Sequence, residues 1–167
     1  MHIFMNKIQL ALKDQILDTV KNIKKHNVGE ILNWLLRNQI AKYSLANDYY
    51  YSTQFTLDHI QNKGLNISKR SIKTKKNKIT YEHPIPSKVV FNLIMDAKNE
   101  NEIISILKNT DYIVILSHFE NDKLRKLGLV STMPDNWKYG DDVFARYKKA
   151  NIDILKKKIK MVGAIRR

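Results

Sequence analysis

Cysteine is absent from the chain. Disulfides, thiolate zinc sites and cysteine nucleophiles are therefore excluded, and any metal would need His, Asp or Glu ligands. Glycine is scarce, and its five copies nowhere gather into a phosphate-cradling loop, a Walker-type lysine motif or a dinucleotide fingerprint. No serine sits in the glycine setting of a nucleophile elbow, so a nucleophilic triad has no support. There is no apolar run of about 18 or more residues, and no leader with a basic start, apolar middle and small-residue cleavage site. The expectation is a cytoplasmic protein without membrane insertion. No internal repeat is evident.

Acid is the other shortage. Sixteen Asp and Glu stand against thirty Lys and Arg, leaving a formal charge of +14. Such a surface repels itself and draws polyanions, of which nucleic acid is the commonest, an acidic protein partner being the alternative. The 167 residues suit one domain able to bury about two thirds of its unfolded surface. With 43% hydrophobic and 28% charged residues the composition is that of a globular protein, not a disordered one.

The densest central charge lies in Leu57 to Pro86, LDHIQNKGLNISKRSIKTKKNKITYEHPIP. Leu57 and Ile60 share a helical face, Gly64 is a left-handed stop, and Ser68 can cap a second helix starting at Lys69. Ile72 would point back at the first helix, leaving Lys69, Arg70, Lys73, Thr74, Lys76, Asn77 and Lys78 for nucleic acid. Arg and Lys match guanine acceptors, Asn matches adenine, and further cations neutralise phosphate. The string Gly64, Leu65, Asn66, Ile67, Ser68, Lys69, Arg70, Ser71, Ile72 resembles the turn and recognition helix of winged helix-turn-helix regulators, over residues 57–77. That resemblance implies a DNA-reading helix in a major groove, in a motif of about 20 residues.

In TYEHPIP, Glu82 and His83 are adjacent, and Pro84 and Pro86 stiffen the chain just after them. The segment is similar to the first strand of HNH nucleases, which implies His as general base and a metal held nearby, Mg or Mn. The rest of that pattern needs Asn and His on a compact unit soon after. Asn92, Asn99 and Asn101 instead fall in a helical region, and the next histidine is His118. The enzymatic alternative is therefore a metal-dependent nuclease in which Glu82, His83, His118 and Glu120 converge. It requires strands Ile79–Ile85 and Tyr112–Leu116 to be a parallel pair, with ligands at their carboxyl ends. Regular alternation would point Glu82 and His83 to opposite faces.

Around this stretch the periodicity predicts scaffold. Ile8, Leu12, Ile16, Leu17, Val20 and Ile23 form one amphipathic helix; Ile31, Leu32, Leu35, Leu36 and Ile40, with Trp34 beside them, form a second, capped at Asn27. A short link makes them an αα-hairpin. Asn47 to Phe55, with three consecutive tyrosines, reads as an aromatic loop. Further helices are predicted from Ser87 to Ala97 and across Ile103 to Leu107. Ser117 and Glu120 predict a capping box opening a helix from His118 to Lys126, with Gly128 stopping it. Leu129 to Gly140 has loop chemistry. A helix from Asp142 to Ala150 would turn Val143, Phe144 and Tyr147 inward and Arg146, Lys148 and Lys149 outward, and the tail from Asn151 reads as a basic amphipathic helix.

The fold class expected is α+β or α/β and helix-rich. Residues 1–78 would be a helical unit with the helix-turn-helix-like pair, and 79–167 a small α/β unit with two or more strands, or the two would form one continuous domain. The leading functional expectation is a nucleic-acid-binding protein, with DNA preferred over RNA and no cofactor for binding, in which the second unit supplies packing, homodimerisation or a second contact surface. The alternatives are the nuclease and a basic interaction protein or inhibitor that binds an acidic protein partner.

Overall fold

The computed structural model describes residues 5–26, 30–65 and 77–161. Along them run α1 (Lys7–His26), α2 (Glu30–Leu45), β1 (Tyr49–Ser52), α3 (Gln54–Asn62), β2 (Ile79–Glu82), α4 (Ser87–Asp96), α5 (Glu100–Asn109), β3 (Val114–Ser117), α6 (His118–Lys126), α7 (Ala145–Lys149) and β4 (Ile159–Lys160). The protein is helix-rich: a helical pair leads into an α/β unit with one small mixed sheet, ordered β2-β3-β1-β4.

The helical pair forms where its periodicity requires, except that Ile8 at the start of α1 is exposed and Gln9 is buried in its place. On α1, Ile16, Leu17, Val20 and Ile23 are buried, and on α2 Leu36, Ile40 and Tyr43. They enclose one core with Val90 and Ile94 of α4 and Ile103, Ile106 and Leu107 of α5. Each fully buried aliphatic side chain contributes up to about 1.5 to 3 kcal/mol. The buried face of α2 is rotated from the expected stripe: Ile31 is 81% exposed and Trp34 61%. The predicted cap at Asn27 lies outside the described residues. Asn99 caps α5, accepting the Glu102 N–H at 3.0 Å. By contrast α4 starts at Ser87 with Pro86 in the cap position and no side-chain cap.

Four expectations are overturned, three of them in the second half. β2 and β3 pair antiparallel, Ile79 opposite Ser117 and Glu82 opposite Val114. The parallel partner of β3 is β1, the tyrosine segment expected to be a loop, with Tyr51 opposite Val114 and Ser52 opposite Ile115. Tyr50 is 5% exposed, so aromatic and β-branched neighbours win over the polar flanks there. The helix around Arg146 is only five residues long. The described part of the tail is not helical; after an irregular stretch it adds β4 antiparallel to β1. The sheet thus takes strands from both sides of position 78.

β3 is the strand the others depend on. Its side chains alternate, and both faces are covered. Ile113, just before it, and Ile115 pack with Tyr50, Ile60, Ile79 and Met161 on one face. Val114 and Leu116 pack with Leu124, Leu129, Tyr147 and Ile152 on the other.

The fold also discloses a repeat that was not evident in the sequence. Thr53 to Leu65 and Ser117 to Leu129 align at a constant offset of 64 residues, with Phe55/Phe119, Asp58/Asp122, Gly64/Gly128 and Leu65/Leu129 identical. Each copy leaves a parallel strand, caps a nine-residue helix with its own Thr or Ser, and ends on a glycine with φ of 58° or 70°. The closing bonds match as well. Gly64 N–H donates to Gln61 O at 2.9 Å and Leu65 N–H to Ile60 O at 3.0 Å; Gly128 and Leu129 repeat this on Arg125 and Leu124 at 3.0 and 2.9 Å. Both are Schellman closures. The copies differ in placement, since Ile60 of α3 packs on one sheet face and Leu124 of α6 on the other.

Candidate functional site

Two polar centres lie at opposite ends of β3. At its start, Arg146 has no exposed surface. Its Nη1 donates to the carbonyls of Leu129 (2.8 Å) and Val130 (3.1 Å); its Nη2 donates to Glu82 Oε2 (2.8 Å), the His83 carbonyl (2.6 Å) and the Tyr147 hydroxyl (3.1 Å). The guanidinium also lies over the Tyr147 ring, 4.9 Å from its centroid. One side chain thus clasps the end of β2, the loop after α6 and its own helix. The planar fork of arginine is suited to such a set of acceptors, and lysine is not. Burial raises the Tyr147 hydroxyl pKa well above its ordinary value. The half-buried His83 ring is held down at a pKa of about 4, by burial first and the Arg146 charge second. It is neutral at physiological pH.

At the far end of β3, Thr53 and Ser117 cap α3 and α6, accepting the N–H groups of Thr56 and Glu120. The capping box expected at Ser117 and Glu120 is present. It is joined to the other repeat: Thr56 Oγ1 donates to Glu120 Oε2 at 2.5 Å and accepts the Ser117 N–H at 2.7 Å, while Ser117 Oγ donates to Glu120 Oε2 at 2.7 Å. Thr56, Ser117 and Glu120 are all buried. Glu120 therefore serves the backbone and two hydroxyls. On the surface above, Phe55 and Phe119 are 57% and 64% exposed, their ring centroids 6.0 Å apart, and Lys123 Nζ lies 5.2 Å from the Phe119 ring centroid.

The residues expected to converge are thus divided. Glu82 and His83 are at one end of the antiparallel pair and His118 and Glu120 at the other, about 10 Å apart along β3 at the usual rise per residue. His118 is placed by its backbone, whose N–H donates to the Lys78 carbonyl at 2.9 Å. Among the described residues no three His, Asp or Glu side chains are grouped as a metal site would need. Of the proposed reading helix, Lys69, Arg70, Lys73, Thr74 and Lys76 lie outside the described residues. Asn77 is half-buried, its carbonyl 3.0 Å from His59 Nε2, and Lys78 is exposed with a φ of 55°.

Arg146, Thr56 and Phe55 were missed as site residues. No local signal marks Arg146, whose acceptors come from distant segments. The other two could have been found by aligning STQFTLDHIQNKGL with LSHFENDKLRKLGL.

A third feature is the strap from Ala145 to Met161. Lys148, Lys149, Lys156, Lys157 and Lys160 are exposed there, and only Lys148 has a carboxylate within ion-pair distance among the described residues, Asp142 at 2.6 Å. Lys158 Nζ stands 5.9 Å and 5.6 Å from the ring centroids of Tyr51 and Tyr112. Among the described residues no helix is long and apolar enough to cross a membrane. Comparison with protein-family models, curated proteins and solved structures finds no match to this chain.

Proposed function

We propose that the protein binds nucleic acid through exposed strap cations that have no acidic partner among the described residues, with duplex DNA the preferred ligand of the basic segment from Lys69 to Lys78. The observation that carries this reading is the strap of exposed Lys149, Lys156, Lys157 and Lys160 on a chain of charge +14. Cations held beside carboxylates would be neutralised at short range; these four gain their counter-charge from solution, and a phosphate backbone releases its own counterions on meeting them. No cofactor is needed. The nuclease is not carried forward, because Glu82 is committed to Arg146 and the two histidines it invokes are at opposite strand ends.

Binding of labelled duplex DNA across a salt series tests the proposal. Affinity falls log-linearly with salt, and Lys73→Ala, Lys76→Ala or Lys156→Ala each reduces the slope by about one phosphate contact. Affinity indifferent to salt and to all three substitutions overturns it. A complex from cells that survives nuclease treatment favours an acidic protein partner instead.

A further inference from the structure

We infer that Phe55 and Phe119 form a stacking platform for an unpaired base, so that the nucleic acid bound includes a single-stranded stretch; this rests on the nucleic-acid reading above. Open α/β sheets bind ligands outside the carboxyl ends of adjacent parallel strands whose following helices leave to opposite faces. β1 and β3 are that pair here, the parallel neighbours among the described strands. Their helices do diverge, α3 packing on the Ile113 and Ile115 face and α6 on the Val114 and Leu116 face. The floor of the opening between them is closed by the Thr56, Ser117 and Glu120 bonds. The two rings stand exposed above that floor, with exposed Gln54 and half-buried His118 before them at the helix starts.

Their exposure is unusual for phenylalanine. Packing needs elsewhere in the fold do not account for it, since both rings stand at the second position of a helix whose core contacts come from Ile60 and Leu124. The surroundings select the occupant. Lys123 lies over Phe119, Lys126 is exposed one turn further along the same helical face, and exposed Lys78 is tied to the start of α6 through its carbonyl. Of the nearby carboxylates Asp122 is paired with Arg125 at 2.5 Å, while Asp58 accepts from the neutral Gln54 amide at 2.7 Å and keeps its charge, so that Lys78, Lys123 and Lys126 outnumber it. Rings flanked by available cations fit a ligand that alternates flat bases with phosphates, and base stacking on aromatic side chains is tolerant of sequence. A hydrophobic protein partner would leave the lysines without counter-charge.

The test uses the full chain and two fluorescent probes, a single-stranded oligothymidylate of about 20 nucleotides and a blunt duplex of similar length. Phe55→Ala and Phe119→Ala each weaken single-strand binding about ten-fold and leave duplex binding unchanged. Phe119→Trp keeps single-strand affinity, and Lys123→Gln lowers its salt slope by about one. Because both rings are exposed, the alanine variants should retain the wild-type urea midpoint, which is checked first; if they do not, Lys123→Gln decides, and a single-strand salt slope equal to that of the wild type then overturns the platform. Single-strand affinity within about two-fold of wild type in both alanine variants, while the wild type binds duplex with a normal salt slope, overturns the platform and leaves the nucleic-acid reading intact. A wild type that binds neither probe overturns both.

Discussion

The Nη2 of Arg146 lies 2.8 Å from the Oε2 of Glu82, a residue 64 positions earlier, with side-chain exposures of 1% and 13%. Removing one partner of a buried pair leaves the other charge without compensation, and such losses run to about 3 to 5 kcal/mol. Arg146→Met is expected to fall in that range, since the Leu129, Val130 and His83 carbonyls lose their donor as well. Arg146→Lys restores the charge but not the fork, and recovers less than half of the loss. Urea unfolding of the two variants checks this; a midpoint shift for Arg146→Met worth under about 1 kcal/mol would show the clasp to be incidental.

His83 supplies a pH dependence of defined sign. Its pKa falls from the ordinary 6.5 to about 4 on folding, so between those values the unfolded chain binds more protons than the folded one, and stability rises with pH. The contribution is complete above about pH 6.5 and is lost as pH falls toward 4, by at most about 3 kcal/mol. In His83→Gln this part of the slope disappears. Unfolding free energies at about pH 7.5 and about pH 5 for both proteins give the measurement, and equal slopes would contradict it.

The elements that periodicity and caps identify are those whose partners are local. α1, the Ser117–Glu120 capping box and the Gly64 and Gly128 stops were all legible because each depends on residues within a turn or two. The strand pairing was not legible: DYIVIL advertises a buried strand but carries nothing that chooses between β1 and β2 as parallel partner. Arg146 was assigned to the solvent by its charge and its helical position, whereas its burial depends on Glu82 and on carbonyls of a loop. The tail followed its period of 3.6 into a predicted helix, and Ile159 instead completes the edge of β1. Tertiary pairing outweighs propensity there.

The joint between the two repeats should be cooperative. Thr56 Oγ1 both donates to Glu120 and accepts from the Ser117 N–H, so Thr56→Val strands two groups at once, while Ser117→Ala removes the cap and one further bond to Glu120. The cap alone is worth about 1 kcal/mol. Because the two substitutions deprive the same carboxylate, their double mutant is expected to depart from additivity by about 0.5 to 3 kcal/mol. Additive unfolding free energies would mean that the two helix starts are independent.

The two glycine stops offer the most direct check that the repeats are physically equivalent. Gly64 and Gly128 have φ of 58° and 70°, and a Cβ added at either meets nothing within 4 Å. The cost of alanine is then conformational alone, about 1 kcal/mol at each site. Asparagine adopts the left-handed region more readily than alanine, so Gly128→Asn should unfold at higher urea than Gly128→Ala, and the Gly64 pair should show the same order. The closures hold Leu65 and Leu129 by the same pattern of bonds, and the second end also receives Thr132 Oγ1 on the Gly128 carbonyl at 2.9 Å and Arg146 Nη1 on the Leu129 carbonyl at 2.8 Å. A loss several-fold larger at one glycine than at the other would mean that one helix end is braced by something beyond its Schellman bonds.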